Sequence, residues 1–110
     1  MSNKVYHTCL SESLKYSDRD AYVSDLTLSS IWDDEAEEIP SDRIEWLGQL
    51  WDAVHRSVKD ICKDAGLSQN ATADYFCIPR RTFGNWCTGD RECPIYTRLM
   101  MQEILGLFHR

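Results

Sequence analysis

Nowhere in the 110-residue chain does an apolar run approach the roughly 20 residues that cross a bilayer, which excludes a membrane-spanning helix and a membrane partner of that kind. No signal-peptide core follows Met1-Ser2-Asn3-Lys4, so a cytoplasmic location is expected. The five cysteines are odd in number and no two form a CxxC pair. That spacing argues against a disulfide framework and leaves reduced, mostly buried thiols as the expectation. Internal repeats and low-complexity tracts are missing, which sets aside solenoids and biased linkers. A basic excess is missing as well. The formal net charge is −6, whereas phosphate binding is driven by Lys and Arg.

What is present is the composition of an ordinary globular chain, long enough for one domain or for one domain with an appended arm. The charge is unevenly divided. From Met1 to Trp46 there are four Lys/Arg and eleven Asp/Glu, a balance of −7; from Leu47 to Arg110 there are eight and seven, a balance of +1. The acidity therefore belongs to the N-terminal part. It peaks in Asp33-Asp34-Glu35-Ala36-Glu37-Glu38-Ile39-Pro40, which has no hydrophobic period, closes on proline and reads as a linker. Before it, Tyr22, Val23, Leu26, Ile31 and Trp32 are apolar. Asp18 can cap a short helix there, although Val-Ser-Asp-Leu-Thr-Leu also alternates like a strand; the helix is favoured. Residues 1–41 are thus read as an acidic arm and linker, and residues 42–110 as an all-α domain.

Within that domain, Asp42-Arg43-Ile44-Glu45 has the side chains of a capping box and predicts a helix to about His55. Its apolar residues Ile44, Trp46, Leu47, Leu50, Trp51 and Val54 cover an arc of roughly 160°, wider than an ordinary surface helix presents. Ser57 caps a second helix from about Val58 to Ala65, stopped at Gly66, with Val58, Ile61 and Cys62 inward. Pro94 opens a last helix whose Ile95, Leu99, Met100, Met101, Ile104, Leu105 and Phe108 fall nearly all round it. Such a helix is expected to be enclosed by other helices or by a second subunit.

Between these lies the segment that carries chemistry, Leu67 to Gly89. Ser68 caps a helix of about two turns ending near Phe76, Cys77-Ile78 forms a tight turn, and Pro79 opens a second short helix ending before Gly89. Ala73 is small where the two helices approach, and Ile78, Phe83 and Trp86 are spaced to anchor the second on a core. Arg80, Arg81, Gly84, Asn85 and Thr88 are left facing outward.

This segment resembles the helix-turn-helix of the Cro and phage-repressor family, without a gap from Leu67 to Gly89. The Leu-Ser-Gln opening, Ala73, Ile78, Thr82, Phe83, Trp86 and Gly89 fall where that family places those residues or close equivalents. With its flanking helices, about residues 57–110, the resemblance covers about half of the chain. Two residues depart from the pattern: Cys77 takes the turn position that usually carries glycine, and Thr72 stands where a larger aliphatic side chain is usual. The resemblance implies a bundle of four or five helices that binds double-stranded DNA as a repressor-like regulator of a bacterial or mobile element. The second helix of the pair enters the major groove while the first crosses the backbone. Carried over residue by residue, Arg80, Arg81 and Asn85 would read bases or hold phosphates, with Thr88 on the same outer face. Gln69 would donate to a phosphate. Arg suits guanine O6/N7 and Asn suits adenine N6/N7, because each can make a paired hydrogen bond.

No cofactor is implied. Cys77, Cys87 and Cys93, with His109 beyond, fit no common zinc spacing and read as small packed residues, so no metal is expected. Nothing places His7 or His55 beside a thiol in a pocket, so the chain is not read as an enzyme. A homodimer is expected, because two apolar helices need more cover than one short bundle supplies and because such repressors pair across successive major grooves. The alternative cover is the N-terminal arm folded back within one chain. A rival function follows from the acidic arm: Asp33 to Glu38 could imitate a phosphate backbone. The chain would then be a protein-binding inhibitor of anti-restriction or anti-CRISPR type that reuses the helix-turn-helix fold.

Overall fold

The computed structural model describes residues 2–32 and 40–110. The acidic run Asp33 to Glu38 lies outside the described residues. Among them there are seven helices and no strand: α1 (Asn3–Ser13), α2 (Arg19–Thr27), α3 (Ser41–His55), α4 (Val58–Ala65), α5 (Gln69–Tyr75), α6 (Arg80–Thr88) and α7 (Ile95–Ile104). The fold class is all-α, and the helices form two compact units, Met1–Val54 and His55–Arg110.

The first unit is built from α1, α2 and most of α3. Ser2 caps α1 by accepting from the Val5 amide, and Asp18 caps α2 by accepting from the Ala21 amide. The helical alternative for the Tyr22 to Leu26 stretch is the one realised, because the ring of Tyr22 and the side chain of Leu26 are buried on one face of α2. The Tyr22 hydroxyl donates to the Cys9 carbonyl at 2.8 Å and so ties α2 to α1. Burial pushes the Cys9 thiol up to about 11.

Helix α3 finds its neighbours in this N-terminal segment, which moves the boundary from residue 41 to residue 54. The Trp51 indole donates to the Tyr16 carbonyl at 3.1 Å, and the Trp46 and Tyr6 rings lie 6.1 Å apart. The Arg19 guanidinium grips the Asp52 carboxylate through Nε at 2.9 Å and Nη2 at 3.2 Å. Gly48 lies under that guanidinium, where a Cβ would clash with Nη2. The residues read as an arm therefore meet part of the broad apolar arc of α3: Leu47, Leu50, Ala53 and Val54 are buried and Trp46 and Trp51 are half-buried, while Ile44 at the start of the helix stays exposed. Helix α3 begins at Ser41, so Asp42 lies in its first turn instead of capping it.

In the second unit the local signals are realised closely. Ser57 accepts from the Asp60 amide at the start of α4, and Gly66 ends that helix in the left-handed region at φ 71°. Ser68 caps α5 in the same way through the Ala71 amide. Pro79 precedes α6, and Gly89 closes it at φ 86°. The core joins Val58, Ile61 and Cys62 of α4 to Ala73 of α5, Phe83 of α6, Cys93 just before α7 and Met101 within it, all buried, with Ile78, Trp86 and Leu105 packed around them. Phe83 is the fully buried anchor of α6, and Trp86 packs at the rim of the core. A polar clasp holds α7 to the start of α4: Arg56 donates to Gln102 Oε1 at 2.6 Å and pairs with Asp64 at 3.1 Å, while Arg98 donates to the Arg56 carbonyl at 2.8 Å. Gln102 is wholly buried, and this clasp supplies its partner.

Helix α7 is not enclosed on every side. Leu99 and Met101 are buried, as is Phe108 beyond the helix, but Tyr96, Met100 and Ile104, four residues apart in turn, are 73 %, 51 % and 54 % exposed. They form one apolar stripe along the outside of the helix.

The turn between α5 and α6 departs from ordinary backbone at Cys77, whose φ of 56° makes it the one non-glycine residue with positive φ among the described residues. The Cys77 amide donates to the Asp74 carbonyl at 3.1 Å and the Ile78 amide to the Ala73 carbonyl at 2.9 Å, which closes α5 and reverses the chain. A Cβ in the left-handed region costs roughly 1–2 kcal/mol, and the exposed Cys77 side chain recovers little of it by packing. Cys77→Gly is therefore expected to stabilise the chain by about 1 kcal/mol, after allowing for the extra freedom of glycine when unfolded. Thermal unfolding followed by circular dichroism should show a midpoint a few degrees higher; an unchanged or lower midpoint would show that the thiol makes a compensating contact.

Candidate functional site

The outward surface of α6 follows from the seating of Phe83. At 100° per residue, Arg81, Asn85 and Thr88 lie roughly 160°, 200° and 140° round the helix from Phe83, and so on the opposite side. Arg81 and Thr88 are exposed and Asn85 is half-buried. Arg80 lies only about 60° from Phe83, on the flank that faces back across the turn toward α5.

That position brings Arg80 against Asp74, near the end of α5. Arg80 Nε donates to Asp74 Oδ1 at 3.1 Å, and Arg80 Nη2 donates to Oδ2 at 2.6 Å. The guanidinium beside it holds the Asp74 carboxyl below the usual carboxylate range, and the carboxylate in turn raises Arg80. The pair therefore persists at neutral and mildly acidic pH, and is lost only as pH falls through the depressed value of Asp74. Both side chains are more than half exposed, so the pair directs a side chain more than it stabilises the fold.

Gln69 is the first residue of α5 and is exposed. Its amide lies over Gly84, where a Cβ would come within 3.2 Å of Nε2. The missing side chain at residue 84 thus lets the start of α5 and the outer face of α6 meet in one surface. Thr72 fits its position by turning its hydroxyl inward: Oγ1 donates to the Ser68 carbonyl at 2.9 Å, and the residue is fully buried. The Thr88 hydroxyl lies 3.2 Å from the Asn85 carbonyl and 3.1 Å from Asp90 Oδ2, so its single proton is engaged within the helix end.

The five residues expected from the sequence, Gln69, Arg80, Arg81, Asn85 and Thr88, are thus on or beside one face formed by α5 and α6, but their charge is partly offset. Asp74 engages Arg80 and Asp90 engages Thr88, while Arg81 has no ion-pair partner among the described residues. Asp74 is the residue that sequence reasoning missed. The available signal was a carboxylate and a guanidinium placed on either side of a tight turn.

The thiols are a separate matter. Cys62 and Cys93 are buried, Cys87 is half-buried and Cys77 is exposed. Burial pushes Cys93 up to about 11 and raises Cys87, which also meets Cys62, so the Cys93 and Cys87 thiols are protonated at neutral pH. Comparison of the chain with family models, with characterised proteins and with solved structures found no match.

Proposed function

We propose that α5 and α6 are a helix-turn-helix of the Cro and phage-repressor kind, and that the chain is a double-stranded DNA-binding protein that regulates transcription of a bacterial or mobile element by occupying an operator. The observation that carries this reading is the division of α6. Phe83 is wholly buried on one side, while Arg81, Asn85 and Thr88 emerge on the other. Gln69 stands beside them at the start of α5. The left-handed Cys77 supports the same reading, because it supplies the backbone that a glycine would supply in such a turn. In this reading α6 enters the major groove, Arg80, Arg81 and Asn85 meet base edges or phosphates, and Gln69 meets the backbone. Thr88 accepts at the edge of the contact.

The test is a salt titration of duplex binding. Arg80→Ala combined with Arg81→Ala should weaken binding and flatten its salt dependence, each lost phosphate contact removing about 0.9 from the log-log slope. Equal curves for wild type and variant at two salt concentrations would remove α6 from the interface.

A homodimer is part of the proposal. The stripe Tyr96, Met100 and Ile104 offers a self-complementary surface, and a two-fold axis would present two copies of a weakly basic face to successive grooves. Light scattering at micromolar concentration should give twice the chain mass for wild type and a single chain mass for Ile104→Glu. A wild-type monomer would reject the dimer.

One observation favours a second reading, a protein-binding inhibitor built on the same pair of helices. Asp74 offsets the charge of Arg80, and the chain as a whole carries −6, a balance suited to a basic protein partner. In that case duplex DNA would not bind at physiological salt, and the acidic stretch from Asp33 to Glu38 would carry affinity for the partner.

A further inference from the structure

The way Asp74 grips Arg80 leaves a particular part of the guanidinium uncommitted. A guanidinium has five N–H donors in one plane and two edges on which a pair of them run parallel: the side edge, Nε with Nη2, and the end edge, Nη1 with Nη2. Asp74 takes the side edge, through Nε at 3.1 Å and Nη2 at 2.6 Å. The end edge remains, with one proton from each terminal nitrogen. The Arg80 side chain as a whole is 60 % exposed. Two parallel donors match the O6 and N7 acceptors of guanine in the major groove.

We propose that Asp74 is a positioning residue that makes Arg80 a reader of guanine instead of a general phosphate contact. The proposal rests on the DNA-binding reading above. Two physical effects act together. The bidentate pair removes rotamer freedom that an unpaired arginine would lose on binding, so the end edge is presented at lower entropic cost. The carboxylate also cancels the monopole that draws arginine to any phosphate, while the directional N–H pair needed for a base edge is kept. Arg80 thereby gives up sequence-independent attraction and keeps discrimination. Arg81, which has no carboxylate partner among the described residues, remains the phosphate-binding arginine of the two.

Selection by the full chain from a duplex library randomised over about 20 base pairs, enough for two half-sites one helical turn apart, tests this. Wild type should enrich sites with guanine at one base pair per half-site, and Arg80→Ala should lose that requirement. Asp74→Ala should lower the preference for guanine at that pair roughly ten-fold or more, with no loss of salt slope, since no cation is removed. Asp74→Glu, which keeps a carboxylate, should retain part of the preference. The preference is a ratio of two sequences bound by the same folded protein, so a small change in stability does not move it. Asp74→Ala with wild-type guanine preference would overturn the inference and leave DNA binding intact, even if overall affinity rose as it would for a mere electrostatic brake. An enriched site without guanine would overturn it as well. A wild-type chain that enriches no sequence would instead overturn the DNA-binding reading on which it rests.

Discussion

The burial of Phe83 is the constraint on which the rest of the second unit depends. A wholly buried phenyl ring contributes about 1.5–3 kcal/mol relative to exposure, a large share of the margin available to so small a unit. Because α6 is only nine residues long, fixing that ring fixes the rotation of the whole helix. Arg81, Asn85 and Thr88 then point away from the core, and Arg80 falls on the flank next to α5. The short turn through Cys77 depends on the same seating, since Ile78 and Phe83 both pack into the core that Ala73 lines. The left-handed backbone at Cys77 is the strain accepted to bring the two helices that close.

The surface that results owes its character to distribution more than to net charge. Here Asp74 and Arg80 form a bidentate pair and Arg81 does not, so two adjacent arginines have different chemistry. Under the proposed DNA-binding reading, such a face would meet duplex DNA with little electrostatic assistance and would have to gain its affinity from shape, base edges and a second copy. The outer stripe of α7 and the offset charge of α6 are therefore linked in this account: the less each face contributes alone, the more pairing matters.

Much of the second unit was legible in the sequence because its signals are local. Ser57, Ser68, Gly66 and Gly89 act within one turn of helix, so both ends of α4, the start of α5 and the end of α6 follow from capping chemistry. The first unit was less legible. Helix α1 has no glycine stop, and its apolar residues Val5, Tyr6, Cys9 and Leu10 are few and mixed with polar ones, so its length was not legible. The grouping of α3 with it depends on Trp51 meeting Tyr16 and Arg19 meeting Asp52, pairs 35 and 33 residues apart, which no periodicity encodes. The order of burial within α6 was also hidden. Phe83 and Trp86 lie about 60° apart on the same side of the helix, and spacing cannot say which ring goes deeper. The Asp74–Arg80 pair depends on the angle of the turn between its partners, and composition around a turn does not give that angle.

The proposed binding of nucleic acid at the α5–α6 face has a direct test. Amide and side-chain NMR shifts of the full, isotope-labelled chain, followed while duplex DNA is added at low salt, test it most directly. If duplex DNA binds there, the perturbed signals cluster at Gln69, Arg80, Arg81 and Asn85, with the Arg80 Nε–H signal keeping the signature of its pairing with Asp74, while the buried Tyr22 and Leu47 of the first unit stay unmoved. Shifts centred elsewhere, or a spectrum that duplex DNA leaves unchanged, would contradict it.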